Sequence, residues 1–201
     1  MGVLGRMSND PPHAFLVLKS QIQNDLKHIL TLEPGYPVYT VALLICIASE
    51  ALSKLLGRRR DSSVFEKELL AKHGAPRAVA SILFNAVRHG LTHFFDTKTL
   101  VIDGQEFVVV ISWKKLSHLK VITGDWLHNG MSQPGICLNL HTLSEDLNGF
   151  MEHLEGRLRA SPKLRREMAQ RSRRLQPKIE CKKDSAIRVW KNFLKNNKHE
   201  M

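Results

Sequence analysis

The spacing of apolar residues predicts three helices in the first seventy positions. From Ala14 to Leu32 an apolar residue recurs every three or four positions, which is the period of an amphipathic helix. A second helix, from about Val38 to Leu56, is apolar on nearly every side, so we expect it at the centre of the fold. A third, shorter helix is expected to be capped by Ser63, with Glu66 as the capping-box partner.

A fourth helix, starting near Arg77, carries the most regular pattern. Its apolar positions follow the i, i+3, i+4, i+7 spacing of a helix with one buried face: Val79, Ile82, Leu83, Ala86, Val87, Gly90, Leu91 and Phe94. The second and fourth helices have the most continuous apolar stripes, so we expect them to pack together. Ile82, Leu83, Ala86 and Phe94 should then be largely buried.

Beyond the fourth helix the apolar period changes from helical to alternating. The segment Thr99 to Ser112 has two β-branched runs around Asp103-Gly104, which is typical of a β-hairpin. The segments HLKVIT and GICLNLHTL favour further strands. Together they predict a small antiparallel sheet inserted at about residues 99–142.

A long helix is expected after the sheet, with Ser144 as its cap. Its apolar stripe contains Leu147, Phe150, Met151, Leu154 and Leu158. Pro162 should end or kink it, and the basic segment LRREMAQRSRRL and a short amphipathic helix, DSAIRVWKNFLKN, follow. The predicted fold is mainly α (α+β), with a tail at 1–13, a helical domain at 14–160 and a basic C-terminal helical arm at 161–201.

The positive charge is concentrated in the C-terminal quarter of the chain, which includes the arm. The net charge of the 201 residues is +11; residues 151–201 hold 15 Lys or Arg against 6 Asp or Glu, leaving +9 there and +2 in the rest. Such asymmetry points to a nucleic acid or another anionic partner. The expected phosphate contacts are Arg165, Arg166, Arg171, Arg173 and Arg174. The alternative is a solvated tail that keeps the protein soluble.

The cysteines and the apolar runs indicate the cellular compartment. Cys46, Cys137 and Cys181 are far apart and lack finger spacing, so a disulfide scaffold or a zinc ribbon is not expected. A reducing cytoplasm fits best. The run from Val41 to Ala48 is too short to span a bilayer, so no membrane association is predicted, and nothing in the sequence calls for a cofactor.

One stretch of the fourth helix, FNAVRHGLTHFFDTK, places polar groups among its apolar residues. His89 and His93 are i, i+4 neighbours on one helical face. Arg88 and His93 are five positions apart, which is roughly 140° around an ideal helix. The length of the arginine, a distorted helix end or a second subunit could bring the two side chains to one ligand.

Three interpretations of this stretch compete. The histidines could be half-buried hydrogen-bonded residues, with Arg88 paired to an acid such as Glu50. Alternatively, HxxxH on a helix can bind zinc, although no third ligand is nearby in sequence. Finally, a histidine can accept the 2′-hydroxyl proton of RNA while an arginine holds the scissile phosphate, and this chemistry needs no metal.

The stretch VRHGLTHFFDTK resembles the defining motif of the HEPN superfamily. That motif is an Arg and a His separated by four to six residues, and the first of those residues is polar. Arg88, His89 and His93 match this pattern with its shortest spacing. ICIASEALSKLLG is similar to the HEPN helix that carries an acidic residue, here Glu50, and SSVFEKELL resembles the short helix that follows it. The resemblance covers roughly Ala14 to Leu158.

The resemblance implies a helical bundle, usually dimeric, in which the motifs of two subunits face one cleft. Active members are metal-independent endoribonucleases of toxin–antitoxin, phage-defence and RNA-processing systems, and many others only bind RNA, nucleotides or proteins. By this resemblance Arg88 would bind phosphate, His93 would be the general base or acid, His89 would orient the partners and Glu50 would hold Arg88 or a histidine. The alternative is a non-catalytic dimeric module that binds nucleic acid through the basic tail or an antitoxin-like protein.

Overall fold

The protein is mainly helical with one small sheet, as the sequence predicts. A computed structural model describes residues 10–31, 38–94, 97, 99–113, 118–122 and 134–175. Its α-helices are α1 (His13–Leu30), α2 (Val38–Leu55), α3 (Arg77–Phe94), α4 (Leu140–Ala160) and α5 (Pro162–Leu175). A π-helical segment, Phe65–Leu70, and a 3₁₀ turn, Ala71–His73, lie between α2 and α3.

Helix α2 lies at the centre of the bundle, which confirms the prediction from its apolar composition. It contacts α1, α3, α4, α5 and the π-helical segment, and Val41, Ile45 and Leu52 are fully buried. By length and composition it could also cross a membrane, but half of it is buried inside the protein. Packing of this kind is what the central helix of a bundle requires.

Helix α3 packs against α2 as predicted, but one of its apolar residues points the other way. Leu83 is 0% exposed and Ala86 is buried, whereas Ile82 is 50% exposed. The prediction for Ile82 was wrong because the apolar arc of α3 is wider than the surface that α2, the π-helical segment and the sheet cover. Ile82 lies beyond the edge of that contact. The side chain of Phe94 lies outside the described part of the chain.

The sheet contains both parallel and antiparallel pairs. Strands β1 (Leu100–Ile102), β2 (Gln105–Ser112), β3 (Val121–Ile122) and β4 (Gly135–Asn139) lie in the order β1-β2-β4-β3. The predicted hairpin is confirmed: β1 and β2 pair antiparallel through a turn in which Asp103 and Gly104 have φ of 50° and 78°. Positive φ at both positions is what a type I′ turn needs.

A purely antiparallel sheet was the wrong prediction. Strands β2 and β4 pair parallel, from Val108 opposite Gly135 to Ser112 opposite Asn139. Parallel neighbours need a long crossover, and residues 113–134 provide it. Within that crossover β3 pairs antiparallel with the other edge of β4. The hydrophobic pattern identified the strands but carried no information about their direction.

Helix α4 begins five residues earlier than predicted, with its N-cap at residue 139 instead of 144, and Ser144 does not cap it. Asn139 is the N-cap, and its side-chain oxygen accepts a hydrogen bond from the Thr142 backbone N–H at 3.0 Å. Asparagine at the end of β4 satisfies a helix N–H that would otherwise lack a partner, so the inserted sheet ends at Asn139 rather than near residue 142. Ser144 is buried inside the helix. The predicted stripe is confirmed: Leu147, Phe150, Met151, Leu154 and Leu158 are all buried.

Pro162 separates α4 from α5, as predicted. Ser161 before it is extended, with φ −117° and ψ 100°, which is the backbone that a following proline favours. Helix α5 then folds back against α2 and α4, with Met168 fully buried. The first part of the basic segment is therefore packed on the bundle. The predicted helix DSAIRVWKNFLKN lies outside the described residues.

The loop between α2 and α3 is held by a buried carboxylate. Glu66, 1% exposed, accepts a hydrogen bond from the Ser62 hydroxyl at 2.6 Å. It also pairs with Arg60 at 3.1 Å and Arg77 at 3.4 Å. Ser63 does not cap this segment, because it already lies inside the helical turn. Burying a charge requires such partners, so this network fixes the loop against the start of α3.

Candidate functional site

The four residues predicted to form a site lie together in the structure. Glu50, Arg88, His89 and His93 all line one solvent-accessible groove of about 590 Å³. This volume is in the range of small-molecule and nucleotide sites. Helices α2 and α3 and the loop between them form its walls.

Glu50 lies on α2 and connects two cations. One carboxylate oxygen accepts a hydrogen bond from Lys54 Nζ at 3.0 Å, and the other accepts from Arg88 Nε at 3.2 Å. Partial burial favours a higher pKa for Glu50, but the bonds to Lys54 and Arg88 outweigh it and lower the pKa below its ordinary value. Glu50 is therefore ionised at neutral pH and acts as an acceptor for Arg88.

Arg88 is held in one orientation by two neighbours. Its Nε donates to Glu50, and its Nη1 donates to the hydroxyl of Thr92. The same hydroxyl donates to the Arg88 carbonyl one turn back on α3. Because a guanidinium has five N–H donors, three remain for a ligand. An ion pair with Glu50 was one of the alternatives that the sequence left open, and the structure contains it.

The two histidines are exposed on the outer side of α3. Their rings are nearly parallel, with an interplanar angle of 7° and centroids 6.1 Å apart. This is the i, i+4 arrangement that the spacing predicts. Both imidazoles therefore face the groove from the same side.

Arg88 and His93 reach the same groove without any break in the helix. Helix α3 is continuous from Arg77 to Phe94, so neither a distorted end nor a second subunit is needed to bring them together. The length of the arginine side chain and its anchor on Glu50 direct it toward α2. The cleft is thus complete on one chain for these residues.

A further wall of the groove comes from the loop after α2, whose residues were not among the predicted site residues. Arg59, Asp61 and Ser62 line the groove there. The turn is set by Gly57, with φ of 66°, at which the Arg58 N–H bonds to the Ser53 carbonyl at 2.9 Å. This is a Schellman motif. The run of three arginines directly after a helix-ending glycine is the sequence signal that could have located this wall.

Cys46 lies one helical turn before Glu50 but does not reach the groove. It is fully buried, and burial raises the pKa of its thiol to about 12. A thiol of this kind stays protonated and is inert as a nucleophile.

Within the described residues, no group of three or more His, Cys, Asp or Glu side chains is placed to hold a metal ion.

The arginines predicted to bind nucleic acid separate into two sets on α5. Arg166, Arg173 and Arg174 are exposed. Arg165 is buried, and its Nη1 donates to the carbonyls of Leu158 and Arg159 at 2.8 and 2.6 Å. It satisfies carbonyls at the end of α4, so its predicted phosphate contact was wrong.

Arg171 is also turned partly inward. It pairs with Glu167 at 3.2 Å, and its Nη1 is buried. A Cβ on Gly57 would lie 2.5 Å from Arg171 Nε, so the arginine packs directly on that glycine. This contact joins α5 to the end of α2.

No family model, curated protein or solved structure matches this chain.

Proposed function

We propose that the groove binds single-stranded RNA and cleaves a phosphodiester bond, with the 2′-hydroxyl of the RNA as the nucleophile. The observation that carries the proposal is the convergence of Arg88, His89 and His93 on one open groove, with Arg88 held by Glu50. An oriented guanidinium next to an accessible imidazole supplies the two groups that this reaction needs. The resemblance to HEPN nucleases leads to the same chemistry. We expect a cytoplasmic protein.

Each group has a defined part in the proposed reaction. His93 accepts the proton of the 2′-hydroxyl while the 2′ oxygen bonds to phosphorus. The bond from phosphorus to the 5′ oxygen breaks, and that oxygen takes a proton from water. The product strand ends in a 2′,3′-cyclic phosphate. Arg88 binds the phosphate and stabilises the charge that develops on its oxygens.

Glu50 and Thr92 act through Arg88. The carboxylate and the hydroxyl hold the guanidinium before substrate arrives, so little side-chain freedom is lost on binding. His89, parallel to His93 on the same face, orients the substrate beside it. These are positioning roles, since neither Glu50 nor Thr92 needs to touch the reacting atoms.

The direct test is cleavage of single-stranded RNA in the presence of a chelator. We expect the purified protein to cut RNA, to leave cyclic phosphate ends and to spare DNA of the same sequence, which lacks the 2′-hydroxyl. Product ends are identified by mass spectrometry. Activity that disappears with chelator would instead support zinc bound by His89 and His93.

Helix α5 should contribute binding that depends strongly on salt. Replacing the exposed Arg166, Arg173 and Arg174 by alanine removes up to three phosphate contacts, so the slope of log K against log salt should fall by about 2. The slope is measured by fluorescence anisotropy on single-stranded RNA.

The control for α5 removes three exposed lysines elsewhere: Lys27, Lys67 and Lys120. It changes the net charge equally. Equal loss of slope in both variants would mean that the effect comes from overall charge, and no loss in either would exclude α5 from RNA binding.

A second candidate function is a non-catalytic dimeric interaction module. It is favoured by Val79 and Ile82, which are 40% and 50% exposed on α3. The two residues are i, i+3 neighbours on one helical face, and adjoining exposed apolar residues are typical of contact surfaces, which either a second copy or an antitoxin-like protein would cover. A well-folded dimer that binds partners but cuts no RNA would establish this alternative. The homodimer itself stays a prediction.

A further inference from the structure

The charges around the groove leave one arginine without a counter-charge. Glu50 is paired with Arg88 and Lys54, and Asp61 lies 3.4 Å from Lys54 Nζ. Both carboxylates at the groove are thereby neutralised. Arg59 lines the same groove and is exposed, and within the described residues it makes no ion pair.

Its two neighbours in sequence are engaged elsewhere. Arg58 pairs with Glu68 at 2.6 Å, and Arg60 pairs with the buried Glu66 at 3.1 Å. Neither arginine lines the groove. Three consecutive arginines therefore have three environments, and only Arg59 presents an uncompensated charge to a ligand.

The backbone holds Arg59 at this position. The Schellman motif at Gly57 turns the chain at the end of α2. The hydroxyl of Ser53 then accepts a hydrogen bond from the Val64 N–H at 2.9 Å, which joins the far end of the loop to α2. The loop is therefore tied on both sides of Arg59.

We infer that Arg59 binds a second phosphate of the RNA, next to the one held by Arg88. This inference rests on the proposed function and names its ligand as an oligonucleotide with at least two consecutive phosphates. Arg88 reaches the groove from α3 and Arg59 from the loop after α2, so the two guanidiniums are carried by different elements and can bind different phosphates of one strand. An arginine at each position gives charge-assisted hydrogen bonds to phosphate oxygens.

Substrate length provides the test. Binding of two uncleavable 2′-O-methyl ligands, a dinucleotide with one phosphate and a trinucleotide with two, is measured by NMR titration. The wild-type protein should prefer the trinucleotide by about tenfold or more, since a hydrogen bond to a charged group is stronger than one between neutral groups. Arg59→Ala should lose this preference and leave binding of the dinucleotide nearly unchanged, and Arg59→Lys should keep part of it.

Arg58→Ala is the matched control, because it removes the same charge one residue away. It should keep the preference for the trinucleotide. Equal loss in Arg58→Ala and Arg59→Ala, or equal weakening of both ligands by Arg59→Ala, would overturn the inference while leaving the cleavage proposal intact. Binding with the expected length preference but no cleavage of unmodified RNA would support the role of Arg59 and refute the cleavage proposal. Failure of the wild type to bind either ligand would refute both.

Discussion

His93→Ala should lower the rate of RNA cleavage by about 10²–10⁴-fold while largely sparing RNA binding. The expected fall in rate equals the usual contribution of a positioned general base to catalysis. His93 is exposed on α3 and lines the groove, so its removal leaves no core cavity and should not unfold the protein. Single-turnover kinetics with a fluorescent oligonucleotide separate the cleavage step from binding.

The comparison variants are His153→Ala and Arg88→Ala. His153 is exposed on α4 and does not line the groove, so its removal should leave the rate unchanged. Arg88→Ala should weaken both binding and cleavage, because the guanidinium meets the phosphate before and during the reaction. A His93→Ala protein that cleaves within about threefold of the wild-type rate would place the base elsewhere, since a general base is worth far more.

Leu83→Ala should destabilise the fold by roughly 2–5 kcal/mol, which is the usual cost of removing a leucine side chain from a packed core. Leu83 is 0% exposed at the contact between α3 and its neighbours. Ile82→Ala is the natural control, because it truncates the adjacent, half-exposed residue on the same helix. It should cost less than about 1 kcal/mol, as surface substitutions do.

Denaturation in urea, followed by circular dichroism, measures both changes. The midpoint should fall for Leu83→Ala with little change in slope. Similar losses of stability for the two variants would mean that Ile82 is covered in solution, for example by a second copy of the chain. A small loss at Leu83 would contradict the packing of α3 against α2.

The groove illustrates how far a local motif determines a site. The i, i+4 spacing of His89 and His93 specifies that they share a face, and the resemblance of the second helix to its HEPN counterpart made Glu50 a candidate partner for Arg88. Arg59 is equally close to the groove but lies almost thirty positions away from Arg88 in sequence. No periodicity links a loop residue to a helix face, so only the packing of α2 against α3 could place them together.

The sequence by itself determined the helices, the hairpin and the buried stripes, because helical and strand periods, turn residues and proline act over a few positions. It could not determine the parallel pairing of β2 with β4, the exposure of Ile82 or the inward turn of Arg165. Each of these depends on which surface another element covers. Strand direction follows from a long crossover, and Arg165 turns inward because the end of α4 offers it two backbone carbonyls. Such contacts arise between distant segments, so only the tertiary structure decided them.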